Sequence, residues 1–283
     1  MKAFICVISA LLLLSVAGCG KDAVPTETEA SPQTTAVTSQ TTTTAAVSTT
    51  ENVTETTAEK LPPLQNLLNS VYEAFGSEQI ILAYQISEEE PSKGRVCTFE
   101  KNEDGTFVPV NKDIKVVFGK NGLNKEMEGD KKAPSGIFHI PFAFGRDDIA
   151  HELNIEYRVA TGNDYWVDDV DSEDYNTWQT FEGNPEKRWK SFERLNISSY
   201  RLAFVIDYNP ECIKGNGSAI FFHVWKDPDT YTSGCTATDE DSLLMIIKWL
   251  DNEKNPVIIQ GSLMYYSVVY GLDILKEIEN DAF

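Results

Sequence analysis

Basic side chains are scarce in this chain. Lysine and arginine number 24 against 44 aspartates and glutamates, leaving a formal charge of −20 over 283 residues. That balance argues against nucleic acid as a partner and against electrostatic attraction to anionic lipid. It identifies no substrate by itself, since acidity is often only a source of solubility. Histidine is scarcer still, with three. His139 and His151 lack metal-ligand spacing with each other and with any cysteine, so no zinc site is expected and no cofactor is implied. Five cysteines are present: Cys6, Cys19, Cys97, Cys212 and Cys235. Long apolar runs are missing apart from residues 4–16, which are too short to span a bilayer comfortably. No internal repeat is visible.

That apolar run follows Lys2 and leads into small residues, the pattern of an export signal. Val16-Ala17-Gly18-Cys19 resembles a bacterial lipoprotein signal box, which implies a mature chain beginning at a lipidated Cys19. A plain signal peptide or an uncleaved anchor is the other reading. Residues 1–19 are therefore assigned to signal and lipobox. Residues 20–60 are dominated by threonine and hold few bulky side chains, so they cannot bury enough apolar surface to offset their ordering entropy. They are expected to form a disordered tether with an end-to-end distance of about 35 Å. A domain held this way works above a membrane and at some distance from it, on the extracellular face. With Cys6 in the signal and Cys19 lipidated, three cysteines remain. Either a Cys97–Cys212 disulfide leaves Cys235 free, or Cys97 and Cys212 are buried thiols.

The remaining chain has room for one domain, or one domain with a small addition. Leu64, Leu67, Leu68, Val71, Tyr72 and Phe75 recur at helical spacing, and Gly76 stops the pattern. Residues 79–86, 95–101 and 114–119 read as strands, with an Asp104-Gly105 turn between the first two and the third. Residues 61–111 are either extra strands of the main domain or a separate addition. Residues 145–200 are polar, aromatic and weakly periodic, which predicts long loops carrying Trp166, Trp178 and Trp189. Residues 201–208 and 218–225 are the strongest strand patterns. A helix is expected over 239–251, a strand over 256–260 and a helix over 271–279, within a helical tail spanning 263–283. Many short strands with few helices predict a mainly β domain.

The chemistry-bearing pattern is His223 near the end of an apolar strand, with Cys235 following twelve positions later in a small-residue turn. The thiolate is the reactive form of cysteine, and a neighbouring imidazole can take its proton. A helix read just after Cys235 would lower its pKa further. The bland readings are a buried thiol and a packed core histidine sharing a face with Phe221 and Trp225. Gly234 and the Cys235 amide could hold an oxyanion. Ser233 either steadies the site or faces solvent. Asp207 is a candidate to orient His223 by strand neighbourhood.

Gly129-Asp130-Lys131-Lys132-Ala133-Pro134-Ser135-Gly136-Ile137-Phe138, the strand bearing His223, and Ser233-Gly234-Cys235 come in an order that resembles the L,D-transpeptidase catalytic domain, the YkuD-like family. The resemblance covers residues 112–262. The family's blocks typically read Gly-Asp-x-Lys-Thr-Pro-x-Gly-x-Phe and Ser-His-Gly-Cys. Here Ser233 stands where a histidine is common, and Ala237 where arginine is. Val205-Ile206-Asp207-Tyr208-Asn209 and the run from Ser218 to Trp225 are closer to a subgroup of that family. The resemblance implies a β-sandwich or barrel with a few helices, Cys235 as nucleophile, His223 as base and a Cys thioester intermediate. It implies peptidoglycan stem peptides as substrate. A carboxypeptidase acting on the same peptides, or an inactive cell-wall binding module, are the alternatives. Residues 129–138 are read as part of a donor groove or as a structural hairpin.

Overall fold

The computed structural model describes residues 61–280. The signal, Cys19 and the tether lie outside them. Helix α1 (Pro63–Phe75) has proline in its first turn, where a missing N–H costs nothing, and ends at Gly76, whose φ of 66° suits glycine. Three long strands follow: β1 (Gln79–Gln85), β2 (Lys93–Lys101) and β3 (Phe107–Val117). Next come β4 (Gly136–His139), β5 (Ala143–Gly145), β6 (Tyr157–Val159), β7 (Asp164–Trp166), β8 (Trp178–Thr180), β9 (Glu193–Arg194), β10 (Leu202–Val205), β11 (Phe221–Val224) and β12 (Thr236–Thr238). Helix α2 (Glu240–Trp249), β13 (Val257–Gly261), α3 (Leu263–Tyr270) and α4 (Ile274–Glu279) complete the described chain.

Ten strands form one sheet in the order β4-β13-β1-β2-β3-β12-β11-β10-β5-β6, and β8-β7-β9 form a small second sheet. The domain is thus mainly β. β1, β2 and β3 lie in the interior of the large sheet, β1 parallel to β13 and β3 antiparallel to β12. Residues 61–111 are therefore part of this domain and not an addition to it. Every residue of β1 is buried, which is why its sequence reads as an unbroken apolar run rather than an alternation.

The sheet curls around its largest core. Ile81, Val96 and Ile258 from one half face Phe204, Ile206 and Phe222 from the other, with Leu243, Ile246, Ile247 and Leu250 filling the space between. Each of these side chains adds about 1.5–3 kcal/mol by burial. Asp239 starts α2, its carboxylate accepting the Ser242 N–H at 2.8 Å. The outer face of β1, β2 and β13 is covered by α1, α3 and α4 through Leu64, Leu68, Tyr266 and Ile274. The outer face of β10 and β11 is covered instead by the segment between β5 and β10, through Phe144, Trp166, Leu195 and Tyr200. That second outer face carries the candidate site.

Several expectations change. β3 begins at Phe107, and β10 and β11 are four residues each rather than eight. The ladder breaks where the Asp207 amide turns to the His139 carbonyl and where Ala219 takes a positive φ of 53°. No Cys97–Cys212 disulfide forms, and both thiols are free. Cys97 points from β2 into the helix-covered core, while Cys212 sits against the Asn176 and Pro210 carbonyls in the loop after β10. Cys235 does not precede a helix directly, because β12 intervenes. Among the described residues, no helix is long and apolar enough to cross a membrane.

Candidate active site

β11 and β12 run parallel, with His223 opposite Ala237 and Phe222 opposite Thr236. Cys235 therefore lies one step before β12, on the same sheet face as His223 and diagonal to it. Side chains on one face of paired strands are the ones that can meet. Both residues line a groove of about 240 Å³, with Glu193, Tyr200, Trp225 and Ser233 among its other walls. A larger hollow of about 370 Å³ lies around His139 and Asp207, but no cysteine, serine or threonine lines it.

The His223 Nδ1 is 2.9 Å from the Val224 carbonyl oxygen. A carbonyl can only accept, so Nδ1 carries the hydrogen and Nε2 presents its lone pair. The ring packs edge-on against Tyr200, with centroids 5.3 Å apart. Burial lowers the imidazole pKa to about 4, against the opposing pull of the Val224 carbonyl. His223 is therefore neutral at physiological pH, in the tautomer a general base needs.

The Cys235 thiol donates to the Ala219 carbonyl at 3.3 Å and accepts the Phe221 N–H at 3.4 Å. No hydrogen bond joins it to His223 among the described residues. Burial pushes the thiol up to about 12, and the negative charge of Glu193 adds to this. The Phe221 amide and the Lys125 ammonium pull the other way without prevailing. The sequence pattern pointed to a thiol activated by a helix terminus. In the folded protein it is a protonated thiol in an apolar setting, and any attack requires its proton to leave as the sulfur moves.

The turn before Cys235 is tied to itself. Thr232 Oγ1 donates to the Cys235 carbonyl at 2.6 Å and accepts the Gly234 N–H at 3.2 Å. The Gly234 amide must release that bond before it can serve an oxyanion. A Cβ on Gly234 would sit 3.1 Å from the Lys132 carbonyl, so this position accepts only a minimal side chain. Ser233 is exposed and makes no side-chain hydrogen bond with His223 or Cys235 among the described residues. Asp207 does not orient His223; it lines the separate hollow beside His139.

Residues 129–138 support this turn from below. Lys125 is buried and pairs with Asp130 at 2.9 Å. Asp130 also accepts the amides of Glu126, Met127 and Lys132. Burial pushes its carboxyl up, but those bonds together hold it below the usual range. The Lys125 side chain fills the space that a Cβ on Gly217 would need, and its ammonium lies 3.8 Å from where a Cβ on Gly234 would sit. Above, the Asn176 side chain accepts from Trp166 and from the Ala219 amide and donates to the Tyr208 and Asn209 carbonyls. A fully satisfied buried amide of this kind fixes the loop geometry it bridges.

Three participants escaped the sequence reading: Lys125, Glu193 and Tyr200. None shows periodicity or lies next to the Cys–His pattern in sequence. The short strand β9 pairs Glu193 with Trp166 of β7, and a tight turn at Ser198–Tyr200 brings the Tyr200 hydroxyl onto the Glu193 carboxylate. Burial raises the Glu193 carboxyl to about 7; the Tyr200 hydroxyl opposes the rise, while Asp168 and Glu128 add to it. Among the described residues, no group of histidine, cysteine and carboxylate side chains could hold a metal ion. Compared with protein-family models, the chain matches none, and a comparison with curated proteins likewise gives no match.

Proposed function

We propose that the chain is a cysteine acyltransferase of the L,D-transpeptidase kind, built on that family's β-sandwich or barrel, acting on peptidoglycan stem peptides. The observation that carries the reading is His223 with its unprotonated Nε2 in the same groove, and on the same sheet face, as Cys235. Cys235 Sγ attacks the amide carbonyl after the donor's third residue. As the C–S bond forms, the thiol proton moves to His223 Nε2 and then to the departing amine, leaving a thioester. An amine of a neighbouring stem attacks that thioester, and the thiol is restored. Water in place of the amine makes the same site a carboxypeptidase. Lipidation at Cys19 and the tether would hold the domain on the extracellular face of a bacterial membrane, close to this substrate. No nucleic-acid partner enters this reading.

A second reading has one observation in its favour. The Cys235 thiol is engaged by a backbone carbonyl and shielded from ionisation, as expected of a catalytically silent wall-binding module. Incubation with purified disaccharide tetrapeptide, followed by mass analysis of products, separates the readings. Crosslinked or trimmed muropeptides that vanish in Cys235→Ser support the enzyme. Binding without any new product, from a folded wild-type protein, supports the module.

A further inference from the structure

The groove holds a carboxyl near enough to Cys235 to influence its titration. Glu193 is half-buried there, and its Oε2 accepts the Tyr200 hydroxyl. Because Tyr200 also packs against His223, carboxyl, phenol and imidazole are in contact in sequence along the groove that Cys235 also lines. Glu193 Oε1 has no protein partner among the described residues, and no lysine or arginine pairs with the carboxylate there. A carboxylate taken partly out of water is normally paired with a cation. One left unpaired beside a nucleophile is a candidate for work on a ligand.

An amine acceptor sets a proton requirement that water does not. At neutral pH a primary amine arrives as R–NH₃⁺. It must lose one proton to become a nucleophile and a second as the amide forms. His223 offers a single lone pair, which suffices for water or for the second proton alone. We propose that Glu193 is a catalytic base for the acceptor amine, docking R–NH₃⁺ and removing its first proton, while His223 removes the second. This rests on the acyl-transfer reading above.

The step balances. R–NH₃⁺ and Glu193–COO⁻ give R–NH₂ and Glu193–COOH. The amine nitrogen then attacks the thioester carbonyl, forming C–N as C–S breaks. Its remaining excess proton passes through His223 Nε2 to the departing sulfur, regenerating the thiol. Glu193 returns its proton to solvent. A carboxyl raised to about 7 exchanges protons near working pH, where a general base is most effective. The charged and titratable groups around it are Tyr200 from the turn, Asp168 and Glu128 behind, His223 and Cys235 on the sheet, and Lys226 on the exposed rim.

The test uses the full chain, a disaccharide-tetrapeptide donor and two small nucleophiles. Ethanolamine is largely protonated at neutral pH, whereas hydroxylamine is uncharged. In Glu193→Gln, transfer to ethanolamine should fall by about 10²–10⁴-fold, the usual worth of a general base. The readout is the ratio of ethanolamine product to hydroxylamine and water products in the same sample, which cancels any change that loss of the Glu193 charge makes to acylation of Cys235, and continued turnover to the latter two reports that the variant is folded. The limb of the ethanolamine pH profile near neutrality should disappear with the carboxyl, and Glu193→Asp should restore part of the rate. Unchanged transfer to ethanolamine, or equal loss with all three nucleophiles, overturns the proposal. Failure of the wild-type protein to form any thioester overturns instead the acyl-transfer reading on which it rests.

Discussion

The thiol reactivity of the resting protein follows from burial and can be worked through in numbers. Cys235 is 7% exposed, with its thiol raised to about 12. At pH 8 the thiolate fraction is then on the order of 10⁻⁴, against about a quarter for an unperturbed thiol with a pKa of about 8.5. That is a deficit of roughly 2,000-fold. A more basic thiolate is intrinsically more nucleophilic, with a Brønsted slope of about 0.4–0.5, which returns roughly 40-fold over this interval. Cys235 should therefore react about 50-fold more slowly than an unperturbed thiol with a small disulfide reagent such as 4,4′-dithiodipyridine. Cys212 is partly exposed and should label first, even though burial and the nearby Asp207 and Glu211 raise its thiol; Cys97 is fully buried and should label slowly. Site-resolved mass spectrometry of partially labelled protein between pH 7 and 10 measures the order directly, with urea-unfolded chain as reference. Fast labelling of Cys235 with a midpoint below about 8.5 would refute the argument that burial controls this thiol.

Three further outcomes follow from the same geometry. Lys125→Met leaves the half-buried Asp130 without its cation but with its backbone amide donors, and should cost about 1.5–3 kcal/mol in urea unfolding, more than loss of a surface pair. Leu243→Ala opens a cavity between the halves of the curled sheet and should cost about 2–5 kcal/mol by the same assay. His223 has a depressed folded pKa, so its contribution to stability is present above about pH 6.5 and is lost as pH falls through about 4. His223→Asn should therefore flatten the stability curve between those values in thermal melts, whereas an unchanged slope would show that the imidazole is solvated.

Where local physics decides an element, the sequence announced it. The α1 periodicity ends at Gly76 because only that residue adopts the left-handed cap easily, and Asp239 marks the start of α2 by accepting an amide within its own turn. The Cys–His pair was legible because parallel β11 and β12 place two nearby sequence segments side by side. The rest depended on contacts that sequence spacing does not encode. β10 and β11 were overestimated because apolar residues continue past their ends, while Ala219 and Asp207 redirect the backbone. The Cys235 environment was misjudged because a three-residue strand separates it from the helix, and because Phe144, Leu195 and Tyr200 arrive from elsewhere to bury it. Glu193 and Lys125 reach the site through loops whose own residues carry no periodic signal.

Thioester formation at Cys235 is read most directly from the intact mass of the protein after brief exposure to disaccharide tetrapeptide. An acylating Cys235 gives an increment equal to the donor minus its terminal amino acid, released by an added amine and absent in Cys235→Ala. A folded wild-type protein that never gains this mass, or one whose adduct persists in Cys235→Ala, contradicts acylation at Cys235.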